Sequence, residues 1–225
     1  MTSFAVESFA SKAAALPRAL VRLCTEAQRR QWGLRLGRLY GIGIGVSYAI
    51  LEWTSAESFG ASAKLWARAM ATATWVAGVG ALSLARDLSE RDTTQGLTSL
   101  ARLRGFGEAK LERARSVAGA LRLSKTVATP GLILALATLL RFATLQGALV
   151  ALSLALLTLP YAALVGGVLA PLARSCSRWL PGRGRLLLLA IVLGPWLLGM
   201  GLGVFVPSIP AAFTWLLQHV EKGYR

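Results

Sequence analysis

Long apolar stretches alternate with short polar segments along most of this chain. A helix needs about 20 apolar residues to cross the hydrocarbon core of a bilayer, and several of these stretches reach that length. The first and the last stretch are short for a straight crossing. The pattern predicts an all-α membrane protein with about six transmembrane helices, at residues 40–54, 65–85, 126–144, 148–172, 186–205 and 211–220.

The N-terminal segment, residues 1–38, mixes apolar anchors with many basic residues. Its anchors include Leu16, Leu20 and Leu23. A basic amphipathic helix with a tryptophan suits the membrane surface, where Lys and Arg meet anionic headgroups. We therefore predict an interfacial helix, with an ordinary solvated helix as the alternative. The residues predicted to contact the membrane interface are Arg18, Arg22, Arg29, Arg30 and Trp32.

A charged insert, residues 86–125, separates the second and third predicted spans of the domain at residues 39–225. Large apolar side chains recur in it at helical spacing, with glycines on both sides. This spacing predicts a short amphipathic helix, a break, and a second charged helix from about Glu108 that continues into the third span. The pattern leaves two roles open, contact with a partner protein or rest on lipid headgroups. The residues that carry it are Leu97, Leu100, Leu103 and Phe106, with Gly96, Gly105 and Gly107.

Composition and charge support a membrane location. Of 225 residues, 55% are hydrophobic and only 16% are charged, whereas a soluble domain carries roughly a quarter charged residues. The net charge of +15 could indicate a nucleic-acid partner, but 22 of the 25 basic residues fall on one side of the six-span arrangement. Cytoplasmic loops collect Lys and Arg. We therefore expect a multi-pass protein of the inner membrane with both termini in the cytoplasm and no nucleic-acid partner.

Motifs for catalysis or metal binding are absent from the sequence. It has no GxxxxGK[ST] phosphate loop, no HExxH, no CxxC and no GxSxG. The acids near Asp87 and Asp92 alternate with arginines, so salt bridging explains them more simply than a metal site. The spans contain no central acid, and Arg68 and Arg141 lie near predicted edges. We therefore predict no catalytic residue, no metal and no cofactor, and an energy source outside the chain.

The order of these segments resembles the ABC-2 type transporter permeases, including the haem-exporter permeases of cytochrome c maturation. The local similarity lies in ALSLARDLSERDTTQGLTSLARLRGFGEAKLERARSV and in the closing PSIPAAFTWLLQHV. In that family an acid, a glycine and a leucine-rich turn follow the second span. They would correspond here to Glu90 or Asp92, Gly96, Leu97 and Leu100. The chain departs from the family in having RGFG where a proline is usual in the following break, and in a very short connection between the fifth and sixth spans.

The resemblance implies a homodimeric or pseudo-dimeric permease paired with two copies of a separate ABC ATPase subunit. A coupling helix, at about residues 93–103, would dock in a groove on each ATPase. ATP would then be hydrolysed by the partner, and the chain by itself would not be an enzyme. The residues assigned to this coupling surface are Glu90, Asp92, Gly96, Leu97, Leu100, Leu103 and Phe106.

Two other functions remain open at this stage. The chain could be a non-transporting membrane scaffold that recruits a cytoplasmic or cell-surface machine. It could also be an intramembrane enzyme acting on lipid, which would require an activity centred on Asp87 and Asp92. The substrate of an exporter cannot be read from the sequence. An apolar lining of Gly, Ala, Leu and Trp would suit a lipid-linked or amphipathic cargo, but the same residues serve helix packing equally well.

Overall fold

The structure is a computed structural model, and it describes residues 18–29, 32–55, 58–85, 96–180, 182–202 and 217. These residues form helices and no strands. We number the helices α1 (Arg18–Arg29), α2 (Trp32–Ser55), α3 (Phe59–Ala81), α4 (Leu97–Leu103), α5 (Glu108–Arg141), α6 (Leu145–Trp179) and α7 (Gly184–Leu202).

Two helices, α5 and α6, are long and apolar enough to cross a membrane, with 34 and 35 residues. The predicted first, second and fifth spans overlap α2, α3 and α7, and the apolar stretch of α7 is shorter, at Gly184–Pro195. The predicted sixth span, residues 211–220, lies outside the described residues except for Leu217, which is buried. The described structure is therefore all-helical, with two helices that meet the length and hydropathy needed for a span.

Helix α2 runs without a break from Trp32, inside the segment at residues 1–38, into the first apolar stretch. Two features predicted for the fourth span are wrong. Its Pro160 and its Gly166 and Gly167 predict an interruption, but α6 is continuous through all three. Pro160 lies on the exposed side of α6. The expected turn at residues 146–147 is the first turn of α6, whose N-cap Thr144 accepts a hydrogen bond from the Gly147 amide at 3.1 Å.

The helices form two antiparallel hairpins, α2–α3 and α5–α6, with α5 packed against both partners of the first hairpin. Helix α7 packs on α6. Small side chains on α3 let it lie close to α5 and α6, and most of its buried residues are Ala, Gly, Ser or Thr. The largest buried side chains of the core include Trp66, Met70, Leu123, Val127, Leu134, Leu154, Leu169 and Leu188.

Two glycines set the distance between α2 and α5. A Cβ atom on Gly41 would lie 2.7 Å from the carbonyl oxygen of Thr126, and one on Gly45 would lie 3.0 Å from the Cα atom of Pro130. Gly43 has nothing within 4 Å of such an atom. Of the three glycines in this part of α2, Gly41 and Gly45 therefore make the close contact with α5, and Gly43 does not.

The bundle has two ends of different character. At the basic end, α1 and α4 pack on the first turns of α5 beside the last turns of α6. A second, smaller core lies there, formed by Leu20, Cys24, Ala101, Leu111, Ala114 and Ala118. At the opposite end, α2 and α5 finish where α3 and α6 begin. We call this the Glu52 end, after the acid buried there.

Candidate functional site

The predicted coupling segment contains a helix of seven residues, α4, bounded by left-handed glycines. Gly96 has a φ of +66° and Gly105 a φ of +73°, values that a residue with a side chain rarely adopts. The chain restarts as helix at Glu108. Glu90 and Asp92 lie outside the described residues, as do the side chains of Leu97 and Leu100.

The leucine spacing predicts the helix but not the face that packs. Ala101 of α4 is buried in the smaller core, and Thr98 accepts a hydrogen bond from Nη2 of Arg115 at 3.4 Å. Leu103, by contrast, is 87% exposed. Phe106, in the break after α4, is half-buried against the smaller core. Small and polar residues therefore attach α4 to α5, and Leu103 is left available on the surface.

Helix α1 uses its apolar face inside the protein. Leu20 and Cys24 are buried against α5, so the expected role of Leu20 as a lipid anchor is wrong. The Gln28 amide donates to the carbonyl oxygen of Arg115 at 3.0 Å. The guanidinium of Arg122 donates to the carbonyl oxygen of Thr25. These contacts hold α1 on the turns of α5 that belong to the charged insert.

The polar face of α1 remains at the surface. Arg18 and Arg22 are exposed, and with Leu23 and Glu26 they line a shallow pocket of about 380 Å³. Trp32, at the start of α2, is 73% exposed. The side chain of Arg29 and the whole of Arg30 lie outside the described residues. Three of the five residues predicted at the membrane interface are thus exposed on the described surface of α1 and α2.

One carboxylate at the basic end joins three arginines. Glu112 Oε1 lies 2.6 Å from Nη1 of Arg115, and Glu112 Oε2 lies 3.0 Å from both Nη1 of Arg174 and Nη2 of Arg178. The Arg174 side chain is only 9% exposed. Since Arg115 also binds Thr98, this cluster connects α4, α5 and α6. Nothing local distinguishes Glu112 from the other acids of the insert, because two of its three partners, Arg174 and Arg178, lie more than sixty residues away.

Cys24 lies beside this cluster. Burial raises the pKa of its thiol, and the positive charges of Arg115 and Arg174 offset part of that rise. Both cysteines of the chain, Cys24 and Cys176, are buried and free. Cys24 is therefore a sensitive reporter of whether α1 stays docked on α5.

A second carboxylate, which the sequence analysis missed, lies at the Glu52 end. Glu52 is 0% exposed. Its Oε1 atom accepts hydrogen bonds from the hydroxyls of Ser62 on α3, at 2.5 Å, and Thr138 on α5, at 3.2 Å. Its Oε2 atom is buried and has no hydrogen-bond partner among the described residues. The sequence predicted no central acid in the spans, and Glu52 is buried near the end of α2 rather than at its centre.

The signal for Glu52 was present in the sequence. It is the one acid within the predicted first span, followed directly by Trp53. The predicted connection between the first two spans, EWTSAESFGASAK, begins with Glu52, so the acid was placed in a connection. Only the packing of α2 against α3 and α5 places its carboxylate inside the bundle.

Further buried polar pairs continue from Glu52 along the α3–α6 contact. The indole nitrogen of Trp66 donates to the Thr158 hydroxyl at 2.9 Å. The hydroxyls of Thr74 and Tyr161 lie 2.8 Å apart. Among the described residues no three His, Cys, Asp or Glu side chains gather into a metal site. Among the described residues, this part of the bundle therefore offers hydrogen bonding by hydroxyls and one carboxylate.

Comparisons of the chain with models of protein families, with curated proteins and with solved structures gave no match. The case for a function therefore rests on the arrangement of the residues described above, in which a short surface helix and two carboxylates occupy the two ends of one helical bundle.

Proposed function

We propose that the chain is the transmembrane subunit of an ATP-driven exporter of the ABC-2 type, working with separate ATPase subunits. The observation that carries the proposal is the attachment of α4 to the base of α5. Helix α5 continues from that attachment for 34 residues into the bundle core. A force applied to α4 therefore acts directly on a long helix that contacts α2, α3 and α6.

The attachment of α4 is suited to transmit movement. Ala101 is buried, Thr98 contacts Arg115, and Phe106 packs on the smaller core, so α4 is fixed to α5 on one side. Leu103 is exposed on the surface that remains. Packed helices move as rigid units between discrete arrangements, and an ATPase that binds two arrangements unequally shifts their populations. Glu112 would carry the displacement on to α6 through Arg174.

The charge distribution supports a cytoplasmic basic end. The basic residues of α1, α4, the start of α5 and the end of α6 lie together, as the positive-inside rule requires of one membrane side. Exposed Arg18, Arg22 and Trp32 would then meet anionic headgroups of the inner leaflet. In this arrangement the protein is a six-span subunit of the inner membrane that pairs with a second permease copy. Its cargo is lipid-linked or amphipathic.

A scaffold without transport is the second candidate, and the same exposed Leu103 favours it. Such a protein would need a docking surface but no connection from that surface into the bundle. The continuity of α4, α5 and Glu112 favours the exporter. An intramembrane enzyme would depend on Asp87 and Asp92, which lie outside the described residues.

The test is recovery of an ATPase with the tagged chain from membranes of the native host. We expect an ABC-type ATPase to copurify with the wild-type chain, and we expect Leu103→Glu to reduce its recovery at least about tenfold, because a charge would be buried in the docking groove. Leu145→Glu is the matched control. Leu145 is 80% exposed and begins α6 at the Glu52 end, away from the docking surface.

Two results would contradict the proposal. One is the recovery of no ATPase with the wild-type chain under conditions that keep the bundle folded. The other is equal recovery with Leu103→Glu and Leu145→Glu. If the wild-type chain instead recovers a non-ATPase machine that Leu103→Glu releases, the scaffold function replaces the exporter.

A further inference from the structure

A fully buried carboxylate requires a positive partner or a proton, because an isolated charge in an apolar interior is very costly. Glu52 has two hydroxyl donors on one oxygen and none on the other among the described residues. The charged groups on the helices packed against it at this end are Lys64, Arg68 and Arg141. Lys64 and Arg68 are exposed, and none of the three forms an ion pair with Glu52.

Arg141 is close in sequence to the site but forms no ion pair with Glu52. It follows Thr138 by one helical turn on α5, and its guanidinium carbon lies 5.5 Å from the centroid of the Phe142 ring. That ring in turn packs on Phe59, with centroids 4.9 Å apart. The Nη1 atom of Arg141 is itself buried and has no hydrogen-bond partner among the described residues.

Three oxygen-bearing side chains from three helices therefore converge on one point. Carboxylate and hydroxyl oxygens are hard ligands, which suit small hard cations such as the alkali metal ions. We propose that Glu52, Ser62 and Thr138 form a binding site for one alkali metal ion between α2, α3 and α5. The buried Oε2 atom of Glu52 is the principal ligand, and the two hydroxyls complete the site.

Occupation of this site would tie three helices together. Glu52 is three residues from the end of α2, and Ser62 lies in the first turn of α3, so the cation joins both arms of the first hairpin. Thr138 adds the last turn of α5. The site therefore links the hairpin to the helix that carries α4 at its other end. This inference concerns the chain alone and does not depend on the proposed ATPase partner.

The test is the unfolding midpoint of the purified full chain in detergent, followed by tryptophan fluorescence. It is measured in sodium, potassium and choline chloride at equal ionic strength, each at a neutral and a mildly acidic pH. A cation at about ten times its dissociation constant stabilises the wild-type chain enough to raise the midpoint by about 3–6 °C. We expect Glu52→Gln to abolish this rise. Glu26→Gln, at an exposed acid of α1, is the matched control and keeps it.

The salt dependence decides the proposal. A midpoint that rises with sodium or potassium over choline, in wild type but not in Glu52→Gln, supports the metal ion. A midpoint that depends on the pH but not on the salt overturns the proposal. Identical profiles for wild type and Glu52→Gln under all conditions overturn the proposal. If Glu52→Gln does not fold, Ser62→Ala retains the carboxylate and should need a several-fold higher cation concentration for the same rise. An unchanged concentration dependence in that variant would also overturn it.

Discussion

Glu112 and Glu52 lie at opposite ends of one helical bundle and have opposite environments. Glu112 keeps 24% of its side chain exposed and binds three arginines, whereas Glu52 is fully buried and receives only hydroxyls. The more accessible carboxylate thus has an excess of positive partners and the enclosed one has none. Ion pairs at the basic end hold helices together within the chain. Neutral donors at the Glu52 end leave one buried carboxylate oxygen without a partner among the described residues.

The largest effect should come from removing the charge at the basic end. Glu112→Gln leaves Arg174 nearly buried without a counter-charge, which costs about 2–4 kcal/mol. For a chain of this size that corresponds to a fall of about 4–16 °C in the unfolding midpoint. The measurement is thermal unfolding of the purified chain in detergent.

The control for this prediction is Glu108→Gln. Glu108 is exposed in the same first turns of α5, so its loss should change the midpoint little. Equal shifts for the two variants would show that the arginine cluster adds nothing to stability, and the contrast between the two carboxylates would then disappear.

An intermediate effect is expected at the Glu52 end. Thr138→Val keeps the shape of the side chain and removes one donor to Glu52, at a cost of about 1–2 kcal/mol because the carboxylate is buried. The unfolding midpoint should fall by about 2–8 °C. Thr54→Val is the matched variant, since the Thr54 hydroxyl is exposed near the same end and bonds only to backbone carbonyls. A Thr54→Val loss as large as that of Thr138→Val would contradict a special role for Glu52.

The smallest effect on stability concerns Cys24, and here the quantity to measure is the rate at which its thiol is labelled. Its thiol is buried with a raised pKa, so maleimide should label it far more slowly than an exposed thiol at neutral pH. The stability linked to this raised pKa is present below the ordinary thiol value of 9.0 and is lost as the pH rises through the higher folded value. Mass spectrometry of the labelled chain measures the rate.

Glu112→Gln should accelerate the labelling of Cys24, because loss of the ion pairs with the arginines weakens the packing of α1 on α5. Glu52→Gln should leave the rate unchanged, since it lies at the other end. Acceleration by both variants would show that the two ends are not independent.

Local signals in the sequence were sufficient for the helices. The glycines at 96 and 105, with the leucine spacing between them, predicted the end of α4 at Leu103 and the restart at Glu108. The coupling helix was expected from about residue 93, whereas α4 begins at Leu97 and residues 93–95 lie outside the described residues. Apolar length predicted long helices where α5 and α6 lie, although α5 ends three residues before the expected end of the third span. The predicted interruption at Pro160 is wrong, because a proline on the exposed side of a long apolar helix need not end the helix.

Local signals could not show which face of each helix packs against the protein, or which side chains surround the two carboxylates. Leu20 was expected to face lipid and is buried against α5, because an apolar side chain fits a protein surface as well as a bilayer. Glu52 was expected in a connection and lies inside the bundle. The partners of Glu112 and Glu52 are separated from them by as many as 66 and 86 positions, and no local pattern carries that information.

By itself, the sequence determined the helical class of the chain, its apolar segments and the concentration of basic residues at alternate connections, since these follow from composition and periodicity. Tertiary structure alone decided which side of α4 faces α5 and that α1 packs against α5. It also decided that Glu112 is paired with arginines while Glu52 is enclosed. The physical reason is that burial and pairing depend on which helices meet. Which helices pack together is set by close contacts at residues such as Gly41 and Gly45. These contacts join residues that are far apart along the chain.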